Sequence, residues 1–322
     1  MALPDALDLK VMQALQLDGR ASFVRIAEVL GVSDKTVARR FTGLRRDTGF
    51  RVLGMTDETR LGRPSWIVRL RCTPDAAEPL ATALARRADT SYIGLMSGGT
   101  EVMCAMRPRT QQECDELLLG RLPRTPRVVS VSAHCVLNPF YGGPLGWLSK
   151  ISALTAAQEE ALRPGLGEPP AGPVALDGVD EALIGVLRRD GRAPMAELQS
   201  RTGQSESVVK RRLDRLRRTG VLYFDVEYDH EPLGHDVGAM LWLTVAPGDL
   251  VRVGRILADH PEVRFAAAVS GRANLVTAVQ CRTTQELYAY LTDRIGAIPG
   301  VRDAETVLTL RQVKALTYDP HR

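Results

Sequence analysis

Between residues 7 and 47, and again between 179 and 219, apolar side chains recur every three or four positions, which is the period of an amphipathic helix. Val11, Met12 and Leu15 mark a first helix, as do Leu183, Ile184 and Leu187 in the later stretch. A second short helix is predicted at about 23–30 and 195–202. Gly31 or Gly203 follows, able to take the left-handed conformation that ends a helix sharply. Two residues on, Ser33 or Ser205 is placed to cap a third helix. That helix buries one stripe, Val37, Phe41 and Leu44 in the first copy and Val209, Leu213 and Leu216 in the second. Beyond each helical block the pattern changes. It predicts a strand at 65–73, a helix at 75–88, strands at 91–98 and 101–107, a helix at 110–121 and a strand at 127–137. The order returns at 238–246, 248–259, 263–270, 273–281, 283–296 and 301–310. This β-α-β-β-α-β order is ferredoxin-like. An antiparallel sheet with helices on one face needs cover on the other, and a second copy is the natural cover.

The recurrence is an internal repeat. "LDLKVMQALQLDGRA" (7–21) aligns with "VDEALIGVLRRDGRA" (179–193) at an offset of 172. From Trp66 to about Phe140 the match to Ala239–Val313 runs without gaps at an offset of 173. The fold class is therefore α+β, with two winged/helix-turn-helix heads and two ferredoxin-like bodies. The expected boundaries are 1–62 and 63–140 for the first head and body, 141–178 for a linker, and 179–234 and 235–322 for the second pair. The linker has no counterpart and is rich in Pro and Gly, so it reads as a semi-flexible connector. It holds one short helix near 155–162, with Thr155 as N-cap.

Length and composition fit a globular chain of more than one domain: 322 residues, 44% hydrophobic and 25% charged. Only five of 42 basic residues are Lys, so Arg density alone says little, and net charge is a modest +4. No apolar run approaches the ~20 residues of a membrane span. "MALPDALDLK" lacks the basic start and apolar core of a secretion signal, so a cytoplasmic protein is expected, with no membrane partner. The five cysteines form no C-x-x-C pair. Cys72, Cys114 and Cys135 face Val245, Leu287 and Leu308 in the other copy, which marks packing positions. The histidines of "HEPLGH" (230–235) lack a second ligand pair. No metal, cofactor or catalytic residue is expected.

Charge is concentrated in the third helices. From 34 to 46 stand five basic residues against Asp34, and from 206 to 218 six against Glu206 and Asp214. An exposed charged face on an ordinary helix would look the same once, but its recurrence with the same turn and cap points to a helix-turn-helix. "GVSDKTVARRFTGLRRDTGF" and "GQSESVVKRRLDRLRRTGVL" resemble the heads of the Lrp/AsnC, or feast/famine, family of transcriptional regulators, and the resemblance extends through both bodies. It implies double-stranded DNA as partner. It places Ser33, Lys35, Thr36, Arg39 and Arg40, and then Ser205, Ser207, Lys210, Arg211 and Arg212, near that DNA. The second head has Gln199, Thr202 and Gln204 where the first packs its turn with Ala27, Leu30 and Val32, so a looser helix pair is expected there.

In the resembled family the bodies sense ligands and oligomerise, with sheets pairing back to back and amino acids as typical effectors. The resemblance implies a small-molecule site at the hairpins "SGGTE" (97–101) and "SGRAN" (270–274), naming Gly98, Gly99, Glu101, Gly271, Arg272 and Asn274. It also implies a homo-oligomer. Arg272 is absent from the first loop and favours an anionic ligand or partner. Two alternatives stand beside an effector-responsive regulator. Siroheme decarboxylases share the head-and-body architecture, but "SYIGLMSGGTEV" and "RFAAAVSGRANL" are nearly bare of the His and Tyr such acid–base chemistry needs. An architectural or corepressor protein without an effector is the other.

Overall fold

In the computed structural model, residues 4–144, 146, 148, 150, 152–228 and 236–318 are described. The "HEPLGH" stretch (230–235) lies outside them. In chain order the elements are α1 (Ala6–Leu17), α2 (Phe23–Leu30), α3 (Asp34–Asp47), β1 (Arg51–Thr56), β2 (Trp66–Cys72), α4 (Pro74–Ala85), β3 (Thr90–Met96), β4 (Glu101–Met106), α5 (Gln111–Asp115) and β5 (Val128–Tyr141). The second half adds α6 (Ala156–Leu162), α7 (Gly178–Leu187), α8 (Met195–Thr202), α9 (Glu206–Arg218), β6 (Leu222–Glu227), β7 (Val237–Val245), α10 (Leu250–Asp259), β8 (Val263–Val269), β9 (Leu275–Cys281), α11 (Thr284–Ala289) and β10 (Val301–Lys314). The chain divides into two compact units, each drawing on both copies. Met1–Gly62 and Gly143–Leu233 form one, and Arg63–Gly142 and Gly234–Arg322 the other.

The first unit joins the two heads. Strands β1 and β6, which the helical pattern does not reveal, pair antiparallel in a two-stranded ribbon. Val52 faces Val226 and Met55 faces Tyr223, a register symmetric about the ribbon's centre. The "DGRA" turns complete a reciprocal contact of the kind seen in isologous dimers. Arg20 donates to the carbonyls of Gly191 (2.9 Å) and Ala193 (3.1 Å), and Arg192 donates to those of Gly19 (2.7 Å) and Ala21 (3.0 Å). Burial pushes both guanidinium groups below the ordinary arginine range. Glycine is required in these turns: a Cβ on Gly19 would lie 2.6 Å from Phe224, and one on Gly191 2.9 Å from the Val52 carbonyl.

The linker departs from expectation. Leu148, Leu154 and Leu162 are buried in the same apolar core as α1 and α2. Thr155 caps α6 with a full capping box. The reason lies in Gln13, a buried amide on α1 that needs partners: it accepts from the Leu154 N–H (2.9 Å) and donates to Glu159 (2.6 Å). Gln158 donates to the Val29 carbonyl at 3.2 Å, and Arg25 to the Ala161 carbonyl at 2.8 Å. Residues 154–162 are thus a built part of the first head rather than a semi-flexible connector.

The second unit joins the two bodies in a closed eight-stranded arrangement, β10-β3-β4-β2-β5-β8-β9-β7. Expected face-to-face cover exists, with Ile67, Met96, Met103, Met240, Trp242 and Val276 forming a core between the sheets. The edges also join, because β5 and β10 run to Tyr141 and Lys314, past the ends predicted for them. The first half of β5 pairs with β2 and its second half with β8, Val136 facing Val269. Symmetrically, β10 pairs with β7 and then β3, Thr309 facing Met96. The helices predicted at 110–121 and 283–296 each change to a wider π turn halfway, at Glu116–Arg121 and Tyr290–Ile295.

Candidate nucleic-acid interface

Each head presents its third helix by the same local chemistry. Gly31 and Gly203 hold φ of 67° and 66°, which end α2 and α8 and turn the chain into the next helix. Val37 and Leu44, and Val209, Leu213 and Leu216, are buried, with Phe41 half-buried beside them. This fixes the rotation of α3 and α9 and points Lys35, Arg39, Lys210 and Arg211 into solvent. Lys35, Arg39 and Arg211 make no ion pair or side-chain hydrogen bond among the described residues, while Lys210 pairs with exposed Glu206 one turn back (2.6 Å).

The predicted DNA-facing set separates into two kinds. Ser33, Lys35, Arg39, Ser205, Ser207, Lys210 and Arg211 are exposed at the start and outer face of the helices, and Thr36 is half-exposed beside Ser33. Arg40 and Arg212 instead turn back onto their own heads. Arg40 donates to Asp5 (2.6 Å) and Asp8 (3.4 Å), the two carboxylates of the capping box that starts α1. Arg212 repeats this on Asp177 (2.6 Å) and Asp180 (3.1 Å) at the start of α7. The backbone N–H of the third residue and then the arginine hold Asp5 and Asp177 below the ordinary carboxylate range. Both guanidinium groups therefore lock the third helix to the first. Sequence spacing places them next to Arg39 and Arg211 but does not show the acidic pairs that claim them.

The copies differ in detail. Ser33 accepts from the Thr36 N–H (3.1 Å) and shares a hydrogen bond with the Thr36 hydroxyl (2.9 Å). Ser205 sits at the same N-cap position but makes no capping bond, its hydroxyl meeting that of Ser207 (3.1 Å). α8 buries Leu198 alone, where α2 buries Ile26 and Ala27, in keeping with the polar turn expected in the second head. Arg217 reaches Asp18 of the first head at 2.9 Å. A groove of about 800 Å3 beside α3 is lined by Asp5, Asp8 and Asp47 as well as Arg39, Arg40 and Arg46, so it carries both signs of charge.

The hairpins of the bodies hold their polar groups inward. Glu101 is buried and takes two bonds from Arg69, at 2.6 and 3.1 Å. Arg69 also bonds both oxygens of Glu305 (2.8 Å each) and lies 4.7 Å from the Trp242 ring centre. Those bonds, with Glu305 first, raise Arg69 above the usual arginine range and lower Glu305 below the usual carboxylate range. Asn274 spends its amide on the Val245 backbone, accepting at 2.9 Å and donating at 2.8 Å. Glu101 and Asn274 are thus engaged in the fold, while Gly98 and Gly271 (φ 68° and 116°) and the Arg272 side chain remain at the surface. Arg69 escapes sequence reasoning because its repeat partner is Trp242, and the two stack on each other. The cysteines behave as packing groups: burial raises all five thiols, Cys104 to about 12 and Cys281 to about 11.

Comparison with known proteins agrees with this arrangement. The AsnC-type helix-turn-helix domain matches residues 5–45, a winged helix-turn-helix DNA-binding domain matches 176–223, and the Lrp/AsnC ligand binding domain matches 238–318. The HTH-type transcriptional regulator FL11 of Pyrococcus horikoshii is 34% identical over 148 residues, which is 97% of its length and 46% of this chain. The regulatory protein AsnC of Haemophilus influenzae is 26% identical over 138 residues, 92% of its length and 42% of this chain. Such relatives match over one head-and-body copy, where this chain carries two. The siroheme decarboxylase NirDL aligns over 98% of this chain and 94% of its own, with a TM-score of 0.67 and 15% identity, a likeness of fold. This chain belongs to the Lrp/AsnC family of DNA-binding transcriptional regulators, as a tandem-duplicated member.

Proposed function

We propose that the chain works as a dimer written into one molecule, gripping a single duplex site with both heads and answering to a small metabolite through its bodies. The observation that carries this is the reciprocal joining of the heads, through the β1–β6 ribbon and the Arg20 and Arg192 contacts, with a basic helix displayed on each. Ser33, Lys35, Thr36, Arg39, Ser205, Ser207, Lys210 and Arg211 are the residues that would meet DNA. Arg40 and Arg212 act as positioning residues that set the angle of the reading helix. Arginine suits the outer positions because its planar fork can bond guanine or a phosphate through two donors. Arg272 makes an anionic effector a better fit than an amine, since Glu101 and Asn274 are already committed. Exposed Leu137, Leu308 and Leu310 offer a surface for association of further chains. Such a regulator would act in the cytoplasm, at the nucleoid.

A non-enzymatic role is favoured over the siroheme decarboxylase reading. The polar groups at the hairpins are held by the fold: His134 against the Ser270 carbonyl (2.8 Å), and Arg69 between Glu101 and Glu305. Groups so engaged are poorly placed for proton transfer to a large tetrapyrrole. The test is selection of bound sequences from random duplex DNA. The expected site is an imperfect palindrome whose half-sites, set by unlike helices, lie about 10 bp or a multiple apart. Enrichment of a single half-site, or none, would overturn the two-headed grip. A spectral change on incubation with siroheme would revive the enzyme.

A further inference from the structure

On the outer face of the first body, α4 and the turn after α5 leave a cleft of about 460 Å3, a size within the range of small-molecule sites, roughly 300–1,000 Å3. Leu80, Leu84, Leu117 and Leu122 form its floor, and Arg87, Arg121 and Arg127 stand around it, with Asp75. The second body supplies an internal control for what this cleft does to folding, because the repeat places a known residue at each position.

There four of the lining positions carry larger side chains. Pro79, Ala83, Leu117 and Thr125 correspond to Arg252, Ile256, Tyr290 and Ile298. Arg252 donates across to the Pro299 carbonyl at 2.7 Å, and Tyr290 and Ile298 are buried. Where the first body has Arg87, the second has His260, bonded to the Tyr290 hydroxyl at 2.9 Å. The fold therefore accepts larger side chains at these positions.

Arg127 adds a second observation. Its φ is +67°, a conformation that side chains bearing a Cβ rarely adopt, and its counterpart is Gly300 at +95°. The first body keeps a cation where the backbone suits glycine. That guanidinium reaches the rim of the cleft and pairs with Asp75, both groups being more than half exposed. Arg121 is likewise paired, with exposed Glu116; such exposed pairs are weakly held, so an incoming carboxylate can take the places of Asp75 and Glu116.

We propose that this cleft binds a small amphipathic carboxylate, its apolar body on the leucine floor and its carboxylate on Arg127 and Arg121. The site lies apart from the hairpins and needs no DNA, so its failure and a failure to bind DNA are separate results. The probe is sodium decanoate, titrated calorimetrically into the full chain, with decanol and acetate as controls. Decanoate saturates one site, while decanol and acetate bind at least about tenfold more weakly, because each lacks one half of the recognition. Ala83→Ile, which installs the second body's residue, abolishes the binding. Arg127→Gly weakens it about tenfold or more without lowering the melting temperature, since glycine relieves the backbone. Absence of decanoate binding up to about 1 mM, equal binding of decanol, or unchanged binding in Ala83→Ile would each overturn the proposal.

Discussion

The first head carries a segment of the linker within its core, and among the described residues nothing equivalent packs on the second. Gln13, whose amide is spent on Leu154 and Glu159, corresponds to Gly185, and Arg25, which holds the Ala161 carbonyl, corresponds to Glu197. The acceptor surface for α6 thus exists in one copy only. At the "DGRA" turns the copies remain interchangeable, each arginine bonding the other's carbonyls. The comparison teaches where a duplicated chain is free to diverge. Contacts that cross between copies tie two positions together, whereas a surface facing the linker answers to a segment that occurs once. Divergence has gone into the surroundings of the reading helices and left the reciprocal arginine contacts of the turns alone.

Leu162→Ala should give the largest effect on this difference. The side chain is fully buried between α6 and the first head, so its removal should cost about 2–5 kcal/mol in urea unfolding. A loss under about 0.5 kcal/mol, the ordinary range for surface changes, would return α6 to the status of a passive tether. Ser33→Ala against Ser205→Ala sharpens the same contrast at smaller scale. Only Ser33 accepts from the helix backbone, so its loss should cost about 0.5–2 kcal/mol and that of Ser205 a few tenths at most. Equal losses would mean that the two caps work alike.

Much of this was legible in the residues. The helices of the heads, the glycine turns at Gly31 and Gly203 and the six-element order of each body follow from periodicity and turn chemistry, because each is decided locally. The β1–β6 ribbon was not, since Arg51–Thr56 and Leu222–Glu227 are paired only with each other, across 171 residues of sequence at their starts. The long ends of β5 and β10 are hidden in the sequence for the same reason: past Val136 and Thr309 their partners belong to the other body. At the candidate site, Lys35, Arg39, Lys210 and Arg211 lie on the exposed face that spacing gives them. Arg40 and Arg212 have the same chemistry and nearly the same position, yet face acidic caps 35 residues upstream that no helical wheel displays.

The most direct test of the two-headed grip is the salt dependence of duplex affinity, measured by fluorescence anisotropy on a selected operator. Affinity of the native chain should fall steeply with salt, and Lys35→Ala, Arg39→Ala, Lys210→Ala and Arg211→Ala combined should flatten the log–log slope by about 3–4, near 0.9 for each phosphate contact removed. A fourfold variant that keeps both the affinity and the slope of the native chain would contradict the assignment of α3 and α9 as the helices that hold DNA.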